Sequence, residues 1–219
     1  MSSRRGQTLR ALPALVVLVD RPRWAEACWS ALPAVAREAD ALILRDKESP
    51  PRKLLAWVLR IKERVPDAAL WVDGSLSVAL ASEAAGLHLP AAHVAASTMR
   101  SFWPGWISAA AHDAGEALWH READCLIWGH AFMTRSKPGL FPRQTLSEVV
   151  QATTRPVLAI GGINAENCCQ LSGLGLSGVV VGDGVWLSPD PAAAARSIRE
   201  AVLAPSWRAG GGEWDDANH

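Results

Sequence analysis

The chain has no tyrosine, only three phenylalanines and three methionines, and yet eleven tryptophans among its 219 residues. It also lacks an excess of charge of either sign: lysine plus arginine total 22, and aspartate plus glutamate total 22. There is thus no global basic field of the kind that draws a nucleic acid, and none is expected as a partner. The four cysteines, Cys28, Cys125, Cys168 and Cys169, have no metal-ligand spacing. Cys168 and Cys169 are neighbours on what reads as a helix, a poor geometry for a disulfide, so a reduced, cytoplasmic setting is the simplest expectation. No apolar run approaches membrane-spanning length. Arg4, Arg5 and Arg10 precede the apolar run Leu12 to Val19, but that run is short, contains Pro13 and ends in Asp20 without a cleavage site, so it resembles a signal peptide only superficially and none is expected. The expectation is a soluble protein with no membrane partner.

What is present is a series of short apolar runs. They read as strands at Leu15–Val19, Ala41–Leu44, Ala69–Val72, Gly86–Leu89, Trp106–Ala109, Cys125–Trp128, Val157–Ile160 and Val179–Val181. Their hydrophobicity is continuous rather than alternating, which indicates burial on both faces and hence a parallel sheet. Ala-, Leu-, Glu- and Arg-rich stretches with helical periodicity lie between them, among them Arg52–Val65, Ser147–Thr153 and Pro191–Leu203. Eight βα units in about 200 residues predict a single-domain (βα)8 TIM barrel rather than an open doubly wound sheet. Residues 1–12 and 205–219 read as tails, the second of them flexible, flanking a barrel over 13–204. The tryptophans at helix-like positions (Trp24, Trp29, Trp57, Trp119) are expected to pack the outer layer; Trp128 lies within a strand.

In such a barrel the residues just after each strand converge on one face. Pro156-Val-Leu-Ala-Ile-Gly-Gly-Ile-Asn164 and Gly178-Val-Val-Val-Gly-Asp-Gly184 are two strands that open into glycine loops, the commonest place for a substrate phosphate in this architecture. The Gly161-Gly162 pair is not a dinucleotide fingerprint. The other strand ends contribute Asp20; Arg45, Asp46 and Lys47; Asp73 and Gly74; His88 within the fourth strand; His112; and Gly129-His130 with the polar loop Thr134, Ser136, Lys137. Arg45 ends an apolar run, where a charge is costly without a partner, and either an anionic ligand or a salt bridge with Asp20 or Asp73 would supply one. The set suits a small anionic substrate and proton transfer.

Five segments together resemble the thiamine phosphate synthase/thiazole tautomerase (TenI-type) family. They are Leu42-Ile-Leu-Arg-Asp-Lys47; Leu70-Trp-Val-Asp-Gly74 through Gly86-Leu-His-Leu-Pro90; Ala123 to Phe132; Thr134-Arg-Ser-Lys-Pro-Gly139; and the two glycine strands. The resemblance spans about residues 14 to 187 and implies one of two activities. The synthase branch joins a pyrimidine methyl diphosphate to a thiazole phosphate and requires magnesium. Its metal and diphosphate oxygen ligands fall here on Gly74, near His93 and on Ala110, none of them a hard oxygen donor of the kind Mg²⁺ requires. The tautomerase branch carries Gly-His-x-Phe after strand 6, matched by Gly129-His-Ala-Phe132. The expectation is therefore a thiazole tautomerase-like isomerase without a cofactor, magnesium entering only under the synthase alternative. A non-catalytic barrel that binds a thiamine precursor is the other alternative. The resemblance gives His130 the acid/base role, for which an imidazole is suited. Arg45, Lys47, Asp73, Thr134, Ser136 and Lys137 would bind the substrate, and Gly161, Gly162, Asp183 and Gly184 its phosphate. Asp183 stands where the family usually has serine. A carboxylate beside a phosphate is repulsive by about 1 kcal/mol or more unless it turns away or pairs with Arg45 or Lys137. The partner is a small phosphorylated heterocycle, and a homo-oligomer is left open.

Overall fold

A computed structural model describes residues 12–134, 139 and 145–208. Eight parallel strands close into a barrel in sequence order, β1 pairing with β8. The strands are β1 Leu15–Asp20, β2 Ala41–Arg45, β3 Leu70–Asp73, β4 Gly86–Leu89, β5 Trp106–Ala110, β6 Cys125–Gly129, β7 Val157–Ile160 and β8 Gly178–Val181. The helices, in chain order, are α1 Glu26–Glu38, α2 Pro51–Arg64, α3 Leu76–Ala81, α4 Ala96–Arg100, α5 Ala114–Trp119, α6 Leu146–Ala152, α7 Asp183–Trp186, α8 Pro191–Leu203 and α9 Pro205–Arg208. The expected (βα)8 barrel is the fold, and all eight expected strands are present, most of them one residue longer at the C-terminal end than the apolar run alone suggests.

Local chemistry accounts for the long helices. α2 begins with proline at its first position and buries Leu54, Trp57, Val58 and Ile61, an i, i+3, i+4, i+7 stripe, with Lys62 and Arg64 in its last turn. α8 is capped by Asp190, whose carboxylate accepts from the Ala193 amide at 2.9 Å, and buries Ala194, Ala195, Ile198 and Val202.

Strand residues divide by parity. Leu15, Val17, Val19, Leu42, Leu44 and Val72 pack outward under the helices. Val16, Ile43, Trp71, Cys125, Ile127, Leu158 and Val180 form the separate interior cluster. Trp71 and Trp106 stack inside the barrel with ring centroids 6.0 Å apart. Gly86 lies between them in the register, and a Cβ there would strike the Trp71 ring. Indole rings thus help to fill the interior, a place the sequence reading did not assign to Trp71 or Trp106. Trp29 and Trp57 do pack between helices, whereas Trp119 is 54% exposed.

Two expectations change. The β7–β8 crossover carries only a 3-10 turn, Cys168–Leu171, not a full helix, because Asn164 and Asn167 tie their side chains to the local amides and Gly173 and Gly175 take positive φ. The tail expected from 205 is not free at its start: Trp207 is buried and its indole N–H donates to the Leu176 carbonyl at 2.8 Å. The indole needs both a dry face and an acceptor, and the Leu176 carbonyl just before β8 is that acceptor. Among the described residues no helix is long and apolar enough to cross a membrane.

Candidate active site

The last inward-facing residues of β1 to β4 are polar, and with Ser108 of β5 they fall side by side. Asp20 pairs with Arg45 in the β1–β2 register, Asp73 with His88 in β3–β4, and His88 with Ser108 in β4–β5. The result is a continuous polar row, Asp20–Arg45–Asp73–His88–Ser108, across five strands at the C-terminal mouth. The Arg45 guanidinium donates to Asp20 at 3.2 Å and lies 3.7 Å from an Asp73 oxygen. Of the salt bridges the sequence offered for Arg45, the structure makes both. The other Asp73 oxygen, Oδ1, is buried without a hydrogen-bond partner.

Burial raises the Asp20 pKa above the usual carboxylate range; Arg45 and Arg23 oppose this, while Asp183 and Asp73 reinforce it. Burial also lowers the His88 pKa, and the Asp73 carboxylate acts in the opposite direction. His88 is therefore a neutral imidazole at pH 7, its Nδ1 3.0 Å from the Ser108 hydroxyl.

The loop after β2 is fixed by Asp46. Its burial disfavours the charged form, but hydrogen bonds from Arg21 and Ser49 and from the amides of Glu48 and Ser49 outweigh that and bring the carboxyl down to about 2. Arg21 approaches it at 2.6 Å. Lys47, beside it, is exposed and has no ion-pair partner among the described residues.

The opposite side of the mouth is backbone. Gly161 and Gly162 have φ of +107° and +67°. A side chain at Gly161 would meet His130, one at Gly162 would meet Phe132 and the Met133 carbonyl, and one at Gly184 would meet the Ile163 carbonyl and Asn164. These glycines let the loops after β6, β7 and β8 close on one another. The Asn167 amide group braces this arrangement by donating to the Gly162 carbonyl at 2.9 Å. The first amides of α7, those of Asp183 and Gly184, belong to a first turn that has no intrahelical acceptors for them.

Asp183 does not pair with Arg45, which Asp20 and Asp73 already hold. It pairs with Arg23, one of whose Nη atoms lies 2.9 and 2.7 Å from the two carboxylate oxygens. His130 is 6% exposed, against Gly161, and neither of its ring nitrogens has a hydrogen-bond partner among the described residues. Thr134 ends the first described stretch of the chain; Ser136 and Lys137 lie outside the described residues. His112 is turned away from the mouth, with its Nδ1 2.8 Å from Glu116.

The mouth thus unites the strand-end residues Asp20, Arg45, Asp73 and His88 with the glycine loops and adds Ser108 and Arg23. Ser108 faces inward beside His88, a parity signal present in the sequence. No local pattern marks Arg23, which reaches Asp183 from 160 residues away.

The magnesium of the synthase branch meets a poor donor set. Gly74 and Ala110 offer no side-chain ligand atom, and His93 lines a separate cavity with Glu116 and Trp119. Asp20 and Asp73 already face Arg45. No cluster of three or more His, Cys, Asp or Glu residues able to hold a metal occurs among the described residues. Asp73 Oδ1 is the one orphan oxygen of the row, so the residues do not fit a metal held by the protein alone.

Residues 15–185 match the family described as thiamine monophosphate synthase. The thiamine-phosphate synthase of Methanoculleus marisnigri is 36% identical over 185 residues, 78% of this chain and 85% of that protein. That of Chlorobium phaeobacteroides is 32% identical over 205 residues, 88% of this chain and 97% of that protein. The solved thiamine phosphate pyrophosphorylase of Pyrococcus furiosus superposes with a TM-score of 0.73 at 27% identity, covering 86% of this chain and 95% of that one. These relatives overturn the isomerase expectation. It leaned on the absence of magnesium oxygen ligands at Gly74, near His93 and at Ala110 and on the short Gly129-His-Ala-Phe132 motif, whereas synthases match across most of the chain. By its barrel, its strand-end residues and this extended similarity, the chain belongs to the thiamine monophosphate synthase family.

Proposed function

We propose that the chain is a transferase of the thiamine-phosphate synthase type, joining a pyrimidine methyl diphosphate to a thiazole phosphate. The observation that carries this reading is that one mouth offers two separate places for anions. Arg45 and Lys47 follow β2, and the glycine loops follow β7 and β8. Coupling two phosphorylated substrates requires two such places, whereas rearranging one requires a single place.

The roles follow from the geometry. Backbone amides at Gly162, Asp183 and Gly184 would hold the thiazole phosphate, as first-turn amides and left-handed glycines do for anions. Coupling breaks the bond between the pyrimidine methylene and its diphosphate, so negative charge gathers on the departing group. Arg45 and Lys47 would stabilise that charge. Asp20 and Asp73 hold the Arg45 guanidinium in one orientation before substrate arrives. Neutral His88 and the unpartnered ring of His130 are free to hydrogen-bond the heterocycles. No step is assigned to a metal.

The test is to supply both precursors, with and without magnesium, and to assay thiamine phosphate by chromatography. Product that is lost in Arg45→Gln supports the transferase. A second reading, a non-catalytic barrel that binds a thiamine precursor, is favoured by one observation, the absence of side-chain ligand atoms at Gly74 and Ala110. Calorimetric binding of both precursors with no product under either condition would establish it instead.

A further inference from the structure

The Arg23–Asp183 contact joins two loops that the polar row does not. Arg23 ends the 3-10 turn Arg21–Arg23 after β1, and Asp183 opens α7, one residue before Gly184 of the glycine loops. The same two segments meet a second time. Trp24 packs edge-on against Trp186, with centroids 4.8 Å apart, and the Trp186 indole donates to the Leu18 carbonyl at 2.8 Å. The aromatic contact and this hydrogen bond hold the Arg23 segment over the end of β8 independently of the ion pair. Removing the Asp183 charge therefore leaves Arg23 at the rim without its ion-pair partner, with only Asp20 as a nearby carboxylate.

The ion pair itself is easily exchanged. Its side chains are 37% and 31% exposed, and such pairs are screened and weak. A phosphate carries more charge than a carboxylate and presents three oxygens to a guanidinium. Asp20 adds a further negative charge close to both partners, which increases what an arriving anion must overcome.

We propose that Arg23 is a phosphate-selecting residue held in reserve by Asp183: when a ligand's phosphate enters the glycine loops, Arg23 leaves the carboxylate for the phosphate. The exchange sets a threshold. A ligand with a full phosphate recruits Arg23, whereas a neutral or carboxylate-bearing analogue leaves the pair closed. This rests on the glycine loops being the phosphate end of the site proposed above.

The experiment is a double-mutant cycle read by calorimetric titration with inorganic phosphate, using the full chain, Arg23→Gln, Asp183→Asn and the double variant, each checked for folding by circular dichroism. Asp183→Asn should bind phosphate about fivefold more tightly, the scale of one exposed ion pair. Arg23→Gln should bind it at least about fivefold more weakly. The gain from Asp183→Asn should shrink in the Arg23→Gln background, because no cation is left there to release. An unchanged or weakened affinity in Asp183→Asn, equal gains in the two backgrounds, or no phosphate binding by any of the four proteins would overturn the exchange. Turnover does not enter this measurement. The expected pattern in a chain that makes no thiamine phosphate removes the transferase reading and leaves the exchange, and product formation without the pattern does the reverse.

Discussion

Asp73 lies directly opposite His88 in the β3–β4 register, and its carboxylate counters the effect of burial on the histidine's proton affinity. In the Asp73→Asn variant that opposing charge is gone and desolvation acts alone, so the His88 pKa should fall further below its ordinary value. An NMR titration of the His88 ring protons in the two proteins checks this. An upward shift in the variant would mean that the imidazole senses solvent more than Asp73.

Acid should destabilise the fold through the imidazoles of His88 and His120. Burial lowers the pKa of both His88 and His120 from the ordinary 6.5. A group whose folded pKa is depressed binds its proton more readily when unfolded, so its contribution is intact above 6.5 and is lost as pH falls toward the folded value. Asp20 has the opposite sign: its raised pKa gives stability present below the ordinary 3.8 and lost as pH rises through the folded value. Asp46, held at about 2, keeps its contribution until pH falls below 3.8. Thermal melts should therefore show a falling midpoint from pH 7 to pH 5, with a shallower fall in His120→Gln. A midpoint that rises over that interval would contradict the assignment.

The glycine loops should tolerate no side chain. Gly162→Ala combines a positive φ with a collision against Phe132 and the Met133 carbonyl, and Gly184→Ala collides with the Ile163 carbonyl and Asn164. Each should cost about 1–3 kcal/mol in urea-derived stability and weaken phosphate binding. Gly139→Ala provides the contrast, since among the described residues nothing lies within 4 Å of its added carbon, and it too has a positive φ, +80°. A loss at Gly139 equal to that at Gly162 would show that backbone conformation, not loop closure, is what Gly162 supplies.

The barrel was legible because parallel strands bury both faces, and buried strands show in sequence as apolar runs such as Val157–Ile160. Their ends were less visible. Asp20, Arg45, Asp73 and Gly129 each extend a strand beyond its apolar run, because an inward residue at the mouth can be polar while the backbone ladder continues. The interior stack of Trp71 on Trp106 was missed because a tryptophan does not reveal which face of a strand it takes; the revealing residue was Gly86, placed between them to leave room. Arg45 and Asp73 were found from position alone. Arg23 was not, since an ion pair closing the ring between the first and eighth strands leaves no local trace. The isomerase inference failed for a related reason: it weighed single positions, the absent oxygen ligands at Gly74 and Ala110 and the motif around His130, whereas the similarity to synthases extends over residues 15–185.

Arg45 is the residue on which the proposed transfer most depends, and its neutralisation should be read in two ways at once. Its guanidinium holds Asp20 at 3.2 Å and faces Asp73 at 3.7 Å. Arg45→Gln keeps a hydrogen-bonding side chain of similar reach but leaves two carboxylates without their cation. Asp20, already raised by burial, loses the largest influence that lowers its pKa, so its carboxyl should titrate at still higher pH in an NMR experiment. The diphosphate-bearing substrate loses a cation that strengthens its hold as the bond breaks, so kcat should fall at least about tenfold rather than KM alone rising. A change confined to KM would place Arg45 in substrate binding without a share in the transition state. An Asp20 titration that does not move would show that Arg45 is not its counter-ion in solution.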